Sequence, residues 1–298
     1  MIMVNTNERI AMRVSWNTII GNVLLSALKL FAGIFAHSTA MLSDAIHTLS
    51  DVLSTIIVMI GIKLANQKSD KEHPYGHERM ECVAAIILAV ILFATGVGIG
   101  YTGVRKIIAG NYGELAVPGV LALVAAGVSI AIKEAMYWYT RAAANKVNSG
   151  ALMADAWHHR SDALSSIGSF IGIFGARLGF PVLDPVASVV ICFFIVKAAI
   201  SIFMDSIGKM TDKACDDTVI GEMCTTILAQ KDVMKIDQIK TRLFGDKIYV
   251  DVEISIDGEA KLYEAHDIAQ QVHDAIEKRF SNVKHCMVHM NPIDMTRQ

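Results

Sequence analysis

Two His-x-x-x-Asp pairs carry the strongest chemical signal in the chain. The first pair is His47 and Asp51, and the second is His158 and Asp162. A spacing of four places both side chains of a pair on one helix face, about one turn apart. If the two helices face each other, two imidazoles and two carboxylates can surround one tetrahedral divalent metal ion. Imidazole favours Zn²⁺ over the all-oxygen preference of Mn²⁺, while Cd²⁺, Co²⁺ and Fe²⁺ remain alternatives.

Both pairs lie in strongly apolar segments, where an ionised carboxylate costs roughly 2.5–3.5 kcal/mol and must face a partner or a wet cavity. The structural alternative is that these polar groups only form hydrogen bonds to neighbouring helices. The recurrence of the same pair in two segments favours a metal site. Asp44 and Asp155 come about one turn before the histidines, and we expect them to orient the imidazoles.

A weaker cluster, Asp70, His73 and His77, has spacings of three and four residues in a polar segment. It predicts a second metal site, and the alternative is that this loop only caps the next helix. His77 and Glu78 also resemble the start of a metalloprotease motif, but Glu81 stands where HExxH needs its second histidine. An intramembrane metallohydrolase is therefore disfavoured against a carrier or a membrane-bound metal sensor.

The elements that must position these residues are six apolar stretches, each long enough to cross a bilayer core that needs about 20 residues. They lie near 14–36, 39–65, 81–108, 115–140, 149–175 and 182–207. A soluble all-helical protein is the alternative. With the amino terminus in the cytoplasm, ten flanking Lys and Arg residues lie inside and three, Arg105, Lys106 and Arg177, lie outside. The positive-inside rule then places both termini in the cytoplasm.

The last 91 residues hold 28 of the 56 charged residues and predict a separate polar domain. Hydrophobic periodicity indicates a helix near 216–230, strands near 235–243 and 248–256, a helix at 262–280 and a strand at 284–291. We expect an antiparallel sheet with helices on one side. The predicted domains are therefore residues 1–207, six transmembrane helices, and residues 208–298, a cytoplasmic α+β domain.

The composition excludes several classes of protein. Apolar residues make up 53% of the chain and charged residues 19%, which excludes a disordered or collagen-like protein. The five cysteines form no CxxC pair, which argues against thiolate-only zinc sites and redox motifs. The net charge of −2 does not indicate a protein that binds nucleic acid.

The chain resembles the cation diffusion facilitator family. The resemblance rests on the two His/Asp pairs, the run His73-Pro74-Tyr75-Gly76-His77-Glu78-Arg79, the segment Lys133-Glu134-Ala135 and the plan of six helices with a metallochaperone-like α+β tail. It implies a homodimeric, proton-coupled exporter of divalent metal, most often Zn²⁺, working by alternating access, and not an enzyme. The family's transport site maps onto His47, Asp51, His158 and Asp162, and manganese carriers tend to have Asn or Asp where His47 stands.

The resemblance also implies sites outside the transport cluster. A metal site in the tail of related transporters matches Asp237, Glu253, His266, His289 and Asn291, and three of these differ from the family's ligand pattern. Arg79 and Asp212 match a charged interlock between membrane and tail, and His273 is expected to be solvated. The short segment 141–148 lacks the His-rich insertion of eukaryotic zinc members, so we expect a prokaryotic plasma membrane.

Overall fold

The structure is a computed structural model that describes residues 6–35, 39–109, 120–177 and 183–293. The side chains of some helical residues, among them Asp44 and His47, lie outside the described part. The chain divides into two compact units, Met1–Ile207 and Gly208–Gln298. The predicted domains have the same bounds. Each unit is described by itself.

The described part of the first unit contains six long helices. They are α1 (Thr6–Phe35), α2 (Thr39–Ala65), α3 (Arg79–Ala109), α4 (Val120–Val147), α5 (Gly150–Arg177) and α6 (Leu183–Met210). Helix α2 has the predicted bounds, whereas α1 begins before its predicted apolar stretch and α4 ends after its own. The added turns carry polar and charged residues, which form helix but do not register as apolar sequence. The sequence 66–78 connects α2 to α3.

Small residues line the interior of this bundle. Ala84, Ala85 and Ala89 of α3 are buried in a core shared with Val58 of α2 and Leu152 of α5. Such residues let helix backbones approach closely where no bulky side chain intervenes. Helix α2 approaches α3 closely at Gly61, because a Cβ there would overlap the Cβ of Ala84.

Glycine is also required where α3 meets α6. A Cβ at Gly96 would lie 2.8 Å from Ile195 Cγ2, and one at Gly100 would lie 2.5 Å from Cys192 Sγ. These two residues form the GxxxG spacing in α3, which is typical of close helix pairs.

Bulky apolar side chains instead cover the outside of the first unit. Leu24, Phe31, Leu53, Ile108 and Phe193 are all exposed. A surface of this kind marks contact with a membrane or a protein partner. Two described segments meet a length and composition criterion for membrane spans, Thr6–Phe31 and Arg79–Ala109. That all six helices cross the bilayer stays a prediction.

The second unit consists of α7 (Asp217–Leu228), β1 (Lys235–Phe244), β2 (Lys247–Asp257), α8 (Leu262–Arg279) and β3 (Val283–Ile293). The sheet order is β1-β2-β3. The prediction of an antiparallel sheet is wrong for one of the two pairings: β1 and β2 are antiparallel, but β2 and β3 are parallel. Helix α8 is the crossover that returns the chain to the same end of the sheet.

The core of the second unit lies between the sheet and its helices. Ile254 of β2, Val272 and Ile276 of α8, and Met223 and Ile227 of α7 are fully buried. The predicted stripe of α8 is therefore its core face. His273, directly after the buried Val272, contacts β3 at the edge of this face.

Candidate metal centre

Helices α2 and α5 bring three of the four predicted ligands together. Asp51, His158 and Asp162 each offer one donor atom, and these atoms lie within 4.8 Å of one another. His158 Nε2 is 3.4 Å from Asp51 Oδ1. The side chain of His47 lies outside the described residues, although its backbone belongs to α2, one turn before Asp51.

The cluster is enclosed by protein. Asp51 is 2% exposed, His158 6% and Asp162 8%. On α5 the histidine and aspartate are one turn apart, and small buried residues such as Ala154 and Ala163 flank them. Small neighbours allow close helix packing, which leaves the carboxylates without bulk water as a partner.

A lysine that the sequence analysis gave no role completes this cluster. Lys133 of α4 is 2% exposed, and its Nζ lies 2.5 Å from Asp51 Oδ2 and 2.9 Å from Asp162 Oδ2. The ammonium therefore joins α4 to α2 and α5 through both carboxylates. The available sequence signal was a charged residue inside an apolar segment, where a charge needs an opposite partner.

A second buried lysine lies near the backbone position of His47. Lys29 of α1 donates a hydrogen bond from Nζ to Thr48 Oγ1 at 2.8 Å, and both side chains are buried. Thr48 directly follows His47 in α2. The sequence analysis gave no role to this lysine either.

Asp155 contacts a different histidine from the one expected. Its Oδ2 is 3.6 Å from Nε2 of His159, and its Oδ1 accepts a hydrogen bond from Thr55 at 3.2 Å. His158 and His159 point in different directions because they are consecutive on a helix. The expectation that Asp155 orients His158 is therefore corrected to a buried pair with His159, which the sequence analysis missed. The side chain of Asp44 lies outside the described residues.

An aromatic group holds the neighbouring arginine away from the cluster. The Arg160 guanidinium lies 4.3 Å from the ring centroid of Tyr137 and 5.8 Å from that of Trp157. It also lies 3.6 Å from a carboxylate oxygen of Glu134. This cation–π and ionic contact fixes a positive charge beside the cluster without adding it to the carboxylates of Asp51 and Asp162.

The loop between α2 and α3 brings together all three residues of the predicted second site. Asp70 lies 3.4 Å from Nδ1 of His73 and 3.5 Å from Nε2 of His77. The backbone N–H groups of His73 and Glu72 donate to the Asp70 carboxylate, which lowers its pKa. The loop thus presents an ionised carboxylate and two imidazoles.

The predicted tail quartet is only partly assembled within one chain. Asp237 accepts hydrogen bonds from Ser255 at 2.5 Å and Asn291 at 3.1 Å, and Asn291 Nδ2 lies 3.5 Å from Glu253. Hydrogen bonds from Ser255 and then Asn291 lower the pKa of Asp237 to about 2. Cross-strand register pairs Glu253 with His289. His266 lies exposed on α8, and its part in a tail site stays a prediction.

A different tail cluster was missed by the sequence analysis. His273, Glu277 and His285 place their donor atoms within 4.8 Å of one another. The expectation that His273 is solvated is wrong, because its ring is largely covered and contacts the backbone of β3. No local pattern in the sequence indicated that α8 crosses β3 at this point.

The predicted interlock joins residues of different units. Arg79 begins α3 in the first unit, and Asp212 belongs to the second unit. Asp212 has a left-handed backbone conformation with φ of 59°. Their pairing stays a prediction.

Known proteins resemble the chain over almost its whole length. An uncharacterised transporter of Methanocaldococcus jannaschii is 34% identical over 93% of this chain and 96% of its own. The manganese efflux system protein MneP of Bacillus subtilis is 31% identical over 97% of this chain and 99% of its own. The magnetosome protein MamB of a Magnetospira species is 30% identical, with 94% of each chain covered.

Two family descriptions account for the two units. Residues 15–210 match the cation efflux transmembrane domain, and residues 215–293 match the cytoplasmic domain of cation efflux proteins. These matches confirm a helical membrane domain followed by an α+β cytoplasmic domain. The chain therefore belongs to the cation diffusion facilitator family, and it is a homodimeric membrane transporter of divalent metal cations rather than an enzyme.

Proposed function

We propose that this chain exports a divalent transition metal, with Zn²⁺ as the favoured cargo, in exchange for protons. The observation that carries the proposal is the buried cluster of Asp51, His158 and Asp162, with His47 one turn from Asp51 on α2. Two imidazoles and two carboxylates suit a tetrahedral ion. The ion enters from the cytoplasm, binds these ligands, and leaves on the other side when the helices rearrange.

The choice of zinc rests on the ligand chemistry of this chain. Two histidines favour Zn²⁺, whereas a manganese site is expected to contain more oxygen donors. The names of the relatives give no single answer, since one is a manganese efflux protein and another a magnetosome protein. A manganese, iron, cobalt or cadmium exporter is the alternative.

Charge balance supports an exchange of metal for a proton. The two carboxylates carry two negative charges inside a poorly hydrated cluster, and one divalent ion neutralises them. The Lys133 ammonium together with one proton on an imidazole provides the same positive charge. Since ammonium and metal compete for the same carboxylate oxygens, metal binding requires Lys133 to move away.

The protons are carried by the histidines. Imidazole is the side chain that gains or loses a proton in the physiological pH range, so His47 and His158 are the groups that would exchange metal for protons. Metal requires the neutral imidazole, and its affinity therefore falls as pH falls. Protons arriving from a more acidic exterior would release the ion there.

The remaining predicted sites would serve regulation. The loop cluster Asp70, His73 and His77 is suited to a second ion near the cytoplasmic surface. The tail residues Asp237, Glu253, His266 and His289 would bind Zn²⁺ between two protomers. The Arg79 and Asp212 interlock would couple the tail to the helices, in a prokaryotic plasma membrane with both termini in the cytoplasm.

Transport by proteoliposomes tests the proposal. Asp51→Asn and Asp162→Asn keep the side-chain size and leave Lys133 a hydrogen-bond acceptor. Because each removes a ligand charge, Zn²⁺ flux should fall at least tenfold under an imposed pH gradient. Glu8→Gln is the control, since it removes a carboxylate of the first unit that lies outside the cluster.

The same vesicles separate the competing interpretations. Comparing Zn²⁺, Cd²⁺, Co²⁺, Mn²⁺ and Fe²⁺ identifies the preferred cargo. Full flux in both Asn variants would contradict the assigned site. A wild-type protein that moves no ion beyond the leak of empty vesicles would support a metal sensor.

A further inference from the structure

The tail contains a cluster of metal-binding side chains far in sequence from the transport site. His273 and Glu277 lie one turn apart on α8, and His273 Nε2 is 3.2 Å from Glu277 Oε1. His285 comes from β3, with its ring centroid 5.8 Å from that of His273. One donor atom from each of the three residues lies within 4.8 Å of the others.

The backbone of β3 fixes the orientation of His273. Its Nδ1 lies 2.7 Å from the carbonyl oxygen of Cys286. A carbonyl only accepts hydrogen bonds, so Nδ1 carries the proton and donates it. In the neutral imidazole, Nε2 then carries no proton, and its lone pair, which can bind a metal ion, faces Glu277. A backbone carbonyl holding the other ring nitrogen is the usual arrangement around metal-binding histidines.

This arrangement needs a positive charge between its parts. The Nε2 lone pair of neutral His273 and the Glu277 carboxylate repel each other unless a proton or a metal ion lies between them. His285 offers a third donor to that same space. The set of two imidazoles and one carboxylate matches borderline divalent ions such as Zn²⁺ and Co²⁺.

The three side chains are exposed enough for a metal ion to enter from solvent and for its coordination shell to be completed. The side chain of Glu277 is 35% exposed and that of His273 26%, and His285 is exposed. Ligands about 2.0–2.2 Å from a zinc ion lie closer together than 4.8 Å, so small rotations of the exposed side chains close the site. Water can then occupy a fourth position.

The neighbouring thiol does not join the ligand set. Burial, followed by the charge of Glu277, raises the pKa of the Cys286 thiol to about 12. The Cys286 side chain is 2% exposed and packs in the core of the second unit. His266 and His289 are also separate, since they lie about 10 Å along α8 and about 13 Å along β3 from their cluster neighbours.

We propose that His273, Glu277 and His285 form a divalent-metal site within each protomer's tail, independent of the transport cluster. The ion joins α8 to β3, the strand at the edge of the sheet. Metal bound here stabilises the parallel β2–β3 pairing. The tail of one chain can then respond to metal without a ligand from its partner.

Hydrogen exchange of the full-length protein in detergent tests this site. The background is Asp51→Asn with Asp162→Asn, so that the transport cluster does not contribute. Micromolar Zn²⁺ should slow exchange in α8 and β3. Glu277→Gln combined with His285→Asn should abolish that protection, remove one bound Zn²⁺ per chain in equilibrium dialysis, and weaken tail affinity at least tenfold. His273 is left unchanged because its ring also contacts β3.

Asp274→Asn is the control, because it removes an exposed carboxylate of α8 outside both proposed tail sites and can still accept the hydrogen bond from Gln270. It should keep the protection of α8 and β3 by Zn²⁺. Unchanged protection and stoichiometry in the Glu277/His285 double variant would overturn the proposal. Since the readout is local exchange rather than flux, the result is independent of whether the chain transports zinc.

Discussion

Lys133 changes the chemistry expected of the transport cluster. The sequence predicted four ligands. In the structure, two of them, Asp51 and Asp162, contact the ammonium group of Lys133 from a third helix. A buried ammonium without a partner is costly, and so are two buried carboxylates. Each therefore stabilises the other, and a divalent ion must replace that stabilisation to bind.

Lys133→Gln should increase the affinity of the transport cluster for metal. The change removes the competing cation but keeps a polar side chain. We expect the Zn²⁺ dissociation constant to fall at least tenfold at pH 7.5, and flux to fall because release becomes slower. Calorimetry of the purified protein and vesicle flux measure the two effects.

The control for this prediction is Lys133→Arg, which keeps the positive charge. Loss of a buried ion-pair partner typically costs about 3–5 kcal/mol. Lys133→Gln should therefore also unfold at a lower temperature than wild type, and added Zn²⁺ should restore the unfolding temperature. Weaker metal binding in Lys133→Gln would show that the lysine positions the ligands instead of competing with metal.

At the scale of elements, the close approach of α2 to α3 is set by a single glycine. Gly61 has no space for a Cβ because Ala84 fills it. The helix that carries Asp51 is therefore held at a fixed distance from α3. At Gly98, in contrast, no side chain of another described helix lies within 4 Å of the place that a Cβ would take.

Gly61→Ala should destabilise the bundle. Overpacking of a close helix contact typically costs about 1–3 kcal/mol, and the displacement of α2 should also reduce metal flux. Gly98→Ala is the matched control and should unfold at the same or a higher temperature, since Ala favours helix over Gly by about 1 kcal/mol. Thermal unfolding in detergent measures both, and equal unfolding temperatures would contradict the packing argument.

One carboxylate ties the three strands of the tail sheet together. Asp237 of β1 accepts hydrogen bonds from Ser255 of β2 and Asn291 of β3. These bonds lower the pKa of Asp237 to about 2, below its ordinary value near 3.9. A lowered pKa means that the stabilisation is complete above about pH 4 and is lost as pH falls through about 2.

Asp237→Asn should loosen the sheet at neutral pH. We expect faster hydrogen exchange in β1 and β3. The difference from wild type should shrink below about pH 4, where the carboxylate of the unfolded chain takes up a proton, and vanish as pH falls through about 2, where the native carboxylate is protonated too. Exchange must be corrected for the intrinsic rate at each pH. Asp251→Asn on β2 is the control, and equal exchange in wild type and Asp237→Asn at pH 7 would exclude this role.

Sequence periodicity predicted the elements better than their pairing. The stripe of α8 and the alternation of β2 each depend on neighbouring residues, so the local pattern contains them. The parallel return of β3, the crossing of α8 over His285 and the arrival of Lys133 between Asp51 and Asp162 depend on contacts between distant segments. No spacing within one helix encodes such contacts, which is why Lys133, His159 and the His273 cluster were missed.

At the scale of the whole molecule, the two units suit two solvents. The helical unit places small residues inside and bulky apolar residues outside, whereas the tail has an apolar core and a charged surface. Side chains such as Leu24 and Phe193 can contact lipid chains without placing a polar group in the hydrocarbon. Membrane insertion and a water-soluble tail are thus built into one chain.

The predicted six-span topology can be measured directly. Both ends of the chain should be cytoplasmic, because the basic flanks favour that orientation. Green fluorescent protein fused after residue 298 should fluoresce, and alkaline phosphatase fused after Ala109 should be active. The reverse pattern would invert the topology, and a phosphatase fusion after Val147 serves as the inactive control.

The position of the tryptophans gives this protein an internal optical reporter. All three tryptophans lie in the helical unit: Trp16, Trp138 and Trp157. Trp157 directly precedes His158 in the sequence, and its ring contacts Tyr137 and Arg160. Ultraviolet emission should therefore respond to occupancy of the transport cluster, whereas the tail has no indole of its own. Radioactive zinc that binds without altering emission can be assigned to the loop or tail, so the sites can be counted separately in unlabelled protein.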